Sequence, residues 1–153
     1  MAGLGVGAYF GGRIADKFSA RLLIIFCLVE LGIGCFGFVS ASLIHLMQDA
    51  LIQSGLLVLT VAIFLLLIFP TFLMGATLPI LTSFFNRYIA NVGESIGTLY
   101  FYNTLGAAMG ALTTGFILFN YLTLSQTIYL AASLNIAISM IIFFTYGRKN
   151  HDE

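Results

Sequence analysis

Long uninterrupted apolar stretches constrain this chain more than any other feature of its sequence. With a window of about 19 residues, four stretches are long enough to cross a membrane as helices, at 22–44, 55–85, 96–119 and 122–146. A fifth, at 1–12, offers roughly 18 Å of helix against a hydrocarbon core of about 30 Å, which is half a span. The sequence therefore predicts a membrane protein.

The composition excludes an ordinary soluble domain. Hydrophobic residues make up 60% of the chain and charged residues only 8%, whereas about a quarter of a soluble domain is charged. The stretches lack the alternating pattern of barrel strands, and backbone in lipid must satisfy its own hydrogen bonds. We expect an all-α, polytopic transmembrane bundle over residues 1–147, followed by a short tail at 148–153. Positive charge follows the first stretch rather than preceding it, which is unlike a cleaved signal peptide.

Lys and Arg predict the orientation. All six lie in alternate connections: three within 13–21, then Arg87, then Arg148 and Lys149 in the tail. The positive-inside rule places these connections and the C-terminus in the cytoplasm. We expect a multi-pass protein of a bacterial inner membrane. The formal net charge is zero, so the lipid bilayer, not nucleic acid, is the expected partner.

Two prolines interrupt the longest stretch, 55–85, which as one helix would measure about 46 Å. Pro70 and Pro79 each remove a backbone donor and crowd the preceding turn, so we predict kinks at both. Thr71, Gly75 and Pro79 fall on one face of this helix. We expect that face to pack against protein.

Glycines at helical spacing predict close helix packing. One series is Gly3, Gly7 and Gly11, and another is Gly106 and Gly110. Asn135 and Ser139, one turn apart on the last helix, are interpreted in the same way. The sequence thus predicts several helix pairs with closely approaching backbones.

Glu30 is the only acid deep within a predicted span, and Asn103 lies at a similar depth, each about 13 Å from the cytoplasmic end of its helix. A charge at this depth requires a partner or a water-filled path. Either the two side chains hydrogen-bond across a helix pair as structural contacts, or both line one polar cavity for a cation or a proton. Snorkelling at the lipid surface is the third alternative.

No catalytic or metal-binding pattern accompanies these residues. The sequence has no H-E-x-x-H and no phosphate-binding glycine loop between a strand and a helix. His45 and His151 have no ligand partners at suitable spacing, and Cys27 and Cys35 lie about 12 Å apart along one helix, too far for a disulfide. We therefore expect no metal, no cofactor and no enzymatic activity in this chain.

The stretch GRIADKFSAR resembles the loop between the second and third helices of major facilitator transporters, whose pattern is G-x-x-x-D-[RK]-x-G-[RK]-[RK]. The matching residues are Gly12, Asp16, Lys17 and Arg21. Ser19 and Ala20 depart from the glycine and the first basic residue of that pattern. In the family this loop helps to latch the cytoplasmic side.

Three longer stretches, GLGVGAYFGGRIADK, PTFLMGATLPIL and GTLYFYNTLGAAMGALTTGFIL, resemble the membrane part of spermidine-synthase-like membrane proteins. The resemblance covers nearly the whole chain and implies that the five segments are the second to sixth helices of a major-facilitator half. The expected neighbour of the glycines in segment 1–12 would then be a helix outside this sequence. In such proteins a soluble aminopropyltransferase-like domain follows, and its glycine-rich motif and acidic residues do not occur here.

Three functions follow as alternatives. The leading one is the membrane domain of a spermidine-synthase-like protein, associated with a separate aminopropyltransferase domain or partner. The second is a half-size, facilitator-type transporter that works as a homo-oligomer, for a polyamine or another small cation attracted by Glu30. The third is a structural membrane subunit without a ligand.

Overall fold

The fold is known from a computed structural model that describes residues 1–51, 55–89 and 91–147. Within those ranges the chain forms five long helices and no strand, so the prediction of an all-α fold is confirmed. The tail at 148–153, with its two basic residues and His151, lies outside the described residues.

The long helices follow one another with short connections. They are α1 (Ala2–Lys17), α2 (Leu22–Leu51), α3 (Leu56–Phe85), α4 (Val92–Thr113) and α5 (Leu124–Ile142). A 3-10 turn, Ser19–Arg21, precedes α2. α4 continues through a π-helical turn (Thr114–Leu118) and a short helical turn (Phe119–Tyr121), and α5 through a π-helical turn (Phe143–Gly147).

Side-chain caps determine where α4 and α5 begin. Oδ1 of Asn91 accepts the backbone N–H groups of Gly93 at 3.0 Å and Glu94 at 3.4 Å. At α5, the Thr123 hydroxyl accepts the N–H of Gln126 at 3.3 Å while the Gln126 side chain accepts the N–H of Thr123 at 2.9 Å. These bonds satisfy donors that a helix start otherwise leaves unpaired.

The first two helices are longer than the sequence predicts. α1 runs to Lys17 instead of ending near residue 12, and α2 runs to Leu51 instead of residue 44. Neither extension contains a proline, so nothing in the chain stops the helix when the apolar pattern ends. The connection from α1 to α2 is therefore much shorter than the predicted loop at 13–21.

Within the described ranges, three helices are long and apolar enough to cross a membrane, as expected of a membrane protein: Ser19–Met47, Leu56–Phe85 and Leu124–Tyr146. The stretch 96–119, predicted as a fourth full span, is helical but does not belong to this group among the described residues. Tyrosines, glycines, threonines and Asn103 dilute its apolar content. α1, with 16 residues, is too short, in line with the predicted half-span.

α1 packs on α3 through its glycines. Gly3, Gly7 and Gly11 are the buried positions of α1, together with Ala15. A Cβ on Gly7 would overlap the backbone carbonyl of Phe72, and one on Gly11 would lie 2.7 Å from the Cα of Ala76. The expectation of a neighbour outside this sequence is therefore wrong, because α3 occupies that face.

α2 packs on α5 through a second set of small residues. A Cβ on Gly34 would lie 3.0 Å from the backbone oxygen of Ala132. The buried hydroxyl of Ser139 donates a hydrogen bond to the backbone oxygen of Cys27 at 2.8 Å. This interhelical bond connects a spanning helix to the carbonyl of another, where water is not available as an alternative partner.

Helix directions place the described basic residues at one end of the bundle. Later residues of α1 contact later residues of α3, so these two helices are parallel. α2 is antiparallel to α3, since Gly32 faces Leu73 whereas the later residue Phe36 contacts the earlier residue Phe69. The end of α1, the start of α2 and the end of α3 therefore coincide. They share a core of Ala15, Leu22, Phe26, Ala76 and Ile80, and the basic residues near this end are Arg13, Lys17, Arg21 and Arg87.

α4 differs from the other helices, because its largest contact with another long helix, α3, is slight. Only Ser95 is buried along Val92–Thr113. A Cβ on Gly106 or Gly110 would meet nothing within 4 Å. No helix in the described part of this chain packs against these two glycines, so their predicted role in helix packing stays a prediction.

Candidate functional site: a polar cavity between the helices

A half-open cavity of about 970 Å³ is lined by residues of all five long helices. Its volume is at the upper end of the range for small-molecule sites, roughly 300–1,000 Å³. The polar side chains that line it come from α2, α3, α4 and α5: Glu30, Thr77, Thr82, Ser83, Asn103 and Asn135. The first part of α1 supplies apolar wall and the small residues Gly5 and Ala8.

Glu30 is held in place by the packing of α2 on both sides. Two residues beyond it, Gly32 faces the side chain of Leu73 on α3, and further on Gly34 faces Ala132 and Ile136 on α5. Glu30 itself is half-buried and lines the cavity. Within the described residues no hydrogen bond or ion pair engages its carboxyl group, which is therefore available to a ligand.

Asn103 and Glu30 line the same cavity, and no hydrogen bond joins them among the described residues. Of the alternatives that the sequence left open, the geometry matches the shared cavity. Asn103 is exposed on α4, the helix with the fewest contacts. Its carboxamide can thus turn toward a ligand without breaking an existing hydrogen bond.

Asn135 adds a second carboxamide that sequence reasoning assigned to helix packing. It is half-buried on α5 and lines the cavity, while its neighbour Ser139 makes the bond to Cys27. The antiparallel pairing of α2 and α5 brings Asn135 to the cavity, three residues after Ala132 meets Gly34. The spacing of Asn135 and Ser139 within one helix could not reveal this pairing.

α3 contributes hydroxyl groups and a backbone acceptor that the sequence analysis did not identify. Thr77, Thr82 and Ser83 line the cavity, and the Thr77 hydroxyl donates to the carbonyl of Met74 at 2.7 Å. Pro79 also lines it and has no N–H to donate to the carbonyl of Gly75, another lining residue. Hydroxyl groups beside a proline in an apolar helix are the sequence signal that could have indicated this surface.

The prolines lie inside one continuous helix. α3 runs unbroken from Leu56 to Phe85 with both Pro70 and Pro79 within it. The kink at each remains a prediction. Two residues of the face that was predicted to contact protein do lie against α1: Thr71 adjoins Gly3, and Gly75 adjoins the backbone of Leu4.

The residues that match the major-facilitator loop lie away from the cavity. Asp16 and Lys17 are exposed in the last turn of α1, Arg21 is exposed in the 3-10 turn, and a Cβ on Gly12 would meet nothing within 4 Å. The Lys17 ammonium lies 5.6 Å from the centre of the Phe18 ring. No ion pair joins these residues within the described ranges, so their role in latching remains a prediction.

No group of three or more His, Cys, Asp or Glu side chains suited to a metal ion occurs in the described part of the chain. The described lining of the cavity carries one carboxyl group, two carboxamides and three hydroxyl groups, and the carboxamides and hydroxyl groups can donate as well as accept hydrogen bonds.

Comparisons with protein-family models, with curated proteins and with solved structures find no match to this chain.

Proposed function

We propose that this chain is an integral membrane domain that binds a small cation in the cavity around Glu30, as part of a spermidine-synthase-like membrane protein. The carrying observation is the cavity itself, which an acid on a helix long and apolar enough to span a membrane lines together with polar side chains from three other helices. An ionisable side chain at membrane depth is costly and points to function by default. Polyamines, the substrates implied by the resemblance, are cations.

The rigid part of the bundle supports this proposal. Backbone-to-backbone contacts join α1 to α3 at the glycines, and small residues together with the Ser139 hydrogen bond join α2 to α5. These two helix pairs hold Glu30, Asn135 and the α3 hydroxyl groups in fixed relative positions. Preorganised polar groups bind a ligand with little loss of conformational entropy.

A separate aminopropyltransferase domain or partner completes the proposal. The resemblance in segments 3–17, 70–81 and 97–118 is its support. In this arrangement the present chain has no catalytic role of its own. It holds the soluble component at the membrane, and it supplies or receives the cationic ligand.

The second candidate is a half-size, facilitator-type transporter that works as a homo-oligomer. The weakly packed α4 favours it, because a helix on which a Cβ at Gly97, Gly106 or Gly110 would meet nothing within 4 Å can contact a second copy. Transport by alternating access requires two repeats around one site near the midplane, which a dimer would supply. A structural subunit without a ligand is the third possibility.

We also propose a multi-pass arrangement in a bacterial inner membrane with the C-terminus in the cytoplasm. The coincidence of the described basic residues at one end of the bundle supports this orientation. Reporter fusions at the C-terminus and in the connection near residue 54 test it. Cytoplasmic signal at the first and periplasmic signal at the second is the expected result.

Native mass spectrometry of the detergent-purified chain, with and without spermidine, separates the three functions. Binding by a monomer supports the domain that serves a partner, and binding by a dimer supports the transporter. In both cases Glu30→Gln should lose the adduct while Glu94→Gln, an exposed acid at the start of α4, should keep it. No adduct with the wild type, or one indifferent to both changes, would leave the structural subunit.

A further inference from the structure

We infer that the cavity selects an alkyl primary ammonium with a single positive charge. This inference rests on the proposed function, namely that the cavity binds a cation within the membrane. It adds the charge, the donor pattern and the shape of that cation. Each of the three follows from a separate property of the described lining residues.

The charge follows from the ionisable side chains. Among the side chains of the described residues that line the cavity, which do not include the backbone amino group of Met1, only that of Glu30 is ionisable. One carboxylate neutralises one positive charge, and a second charge within the membrane would stay uncompensated at considerable cost. Anions would meet no cationic side chain there. The match is therefore a monovalent cation, not a ligand with several ammonium groups inside the cavity.

The donor pattern follows from the acceptors. Besides Glu30, the lining residues carry two carboxamides, on Asn103 and Asn135, and three hydroxyl groups, and they include Gly75, whose carbonyl Pro79 leaves without its usual helical donor. A primary ammonium has three N–H donors for such a set. A quaternary ammonium has no N–H group and can form no hydrogen bond with these acceptors.

The absence of aromatic rings from the described lining argues against a quaternary ammonium ligand. The chain contains 15 Phe and 7 Tyr residues, yet none of them is among the described lining residues. Quaternary ammonium ions are typically bound by aromatic cages through cation–π contacts. The cavity walls are instead aliphatic, formed by Leu4, Ile33, Met74, Leu78 and Ile96. Such walls suit an alkyl chain.

Binding of four probes to the full chain in detergent tests the inference by isothermal titration calorimetry. The probes are n-butylamine, n-butanol as its neutral counterpart, tetramethylammonium and spermidine. We expect n-butylamine to bind at least about tenfold more tightly than n-butanol or tetramethylammonium, the factor that about 1.4 kcal/mol of charge-assisted hydrogen bonding provides. Spermidine should bind less than tenfold more tightly than n-butylamine, because the described lining of the cavity offers no second carboxylate to its further charges.

Two variants, Glu30→Gln and Asn103→Ala, locate the binding, and Glu94→Gln is their control. Glu30→Gln keeps the size of the side chain and should weaken n-butylamine at least about tenfold, while Glu94→Gln should leave it unchanged. Asn103→Ala, on an exposed stretch of α4, should weaken it by a smaller factor. This second variant serves if Glu30→Gln fails to fold, because Asn103 contributes little to packing.

The outcomes separate this inference from the proposed function. Spermidine binding more than tenfold tighter than n-butylamine, with loss in Glu30→Gln, would overturn the single-charge inference and leave the cation-binding domain standing. Tetramethylammonium or n-butanol binding as well as n-butylamine would also overturn it. If no amine binds to the folded wild-type chain, both the inference and the proposed function fail.

Discussion

The glycines of α1 and those of α4 have the same four-residue spacing but different surroundings. In α1, Gly7 and Gly11 lie against the backbone of α3, so closely that a Cβ would collide with it. In α4, Gly106 and Gly110 meet nothing within 4 Å. This spacing therefore marks a helix able to pack closely, whereas the presence of a partner depends on the arrangement of the other helices.

The largest effect on stability is expected at the α1 glycines, which pack against α3. Gly7→Ala forces the backbones of α1 and α3 apart at Phe72, where no rotamer change can relieve the overlap. We expect a loss of about 3 kcal/mol, the upper end of the usual range for overpacking. Thermal unfolding in detergent, followed by circular dichroism, measures it. Gly12→Ala on the same helix is the matched control, since a Cβ there meets nothing within 4 Å.

If Gly7→Ala and Gly12→Ala unfold at the same temperature, the α1–α3 contact does not hold the bundle together. The contrast between the two glycine series would then carry no energetic meaning.

A smaller effect is expected at the other packed pair. Ser139→Ala removes the hydrogen bond to the backbone oxygen of Cys27. We expect a loss of about 0.6 kcal/mol, the average for interhelical hydrogen bonds in membranes, with an upper limit of about 1.7 kcal/mol. The same unfolding measurement applies. Ser133→Ala is a suitable control, because the exposed Ser133 hydroxyl donates only within its own helix, to Tyr129. Equal behaviour of the two variants would contradict a stabilising role for the interhelical bond.

An effect of comparable size but of the opposite sign is expected in α4. Gly106→Ala and Gly110→Ala place a methyl group in open space and should raise stability by at most about 1 kcal/mol each, through helix propensity alone. Unfolding temperature and oligomeric state, from light scattering in detergent, are the readouts. A clear loss of stability in both variants, together with a change of oligomeric state, would indicate that a partner covers this face. The contrast between α1 and α4 would then hold only for the single chain.

Much of the fold could be predicted from the sequence, because it depends on local properties. Apolar length predicted the helices, and proline-free extensions explain why α1 and α2 run beyond the predicted ends. Closely spaced glycines in α1 predicted a tight contact. The predicted neighbour was wrong. The resemblance implied a helix outside this sequence, whereas α3 lies against these glycines.

The candidate site was predictable only in part. Glu30 and Asn103 stand out in the sequence because polar side chains are rare in apolar stretches. Asn135 and the hydroxyl groups of α3 were missed as lining residues. Each of them has an equally common role in packing or in hydrogen bonding to its own helix, as Thr77 does to Met74. Nothing in their spacing distinguishes that role from a place in a cavity.

Composition and apolar length were sufficient for an all-α membrane fold and for the two polar residues worth examining, since the free energy of placing backbone and charge in lipid depends on each segment alone. The partner of each helix, the open surface of α4 and the meeting of Glu30, Asn103 and Asn135 in one cavity emerged only in the tertiary structure. These features depend on contacts between residues far apart in the chain. Small-residue faces on several helices can form such contacts equally well, and the closest fit of whole backbones decides among them.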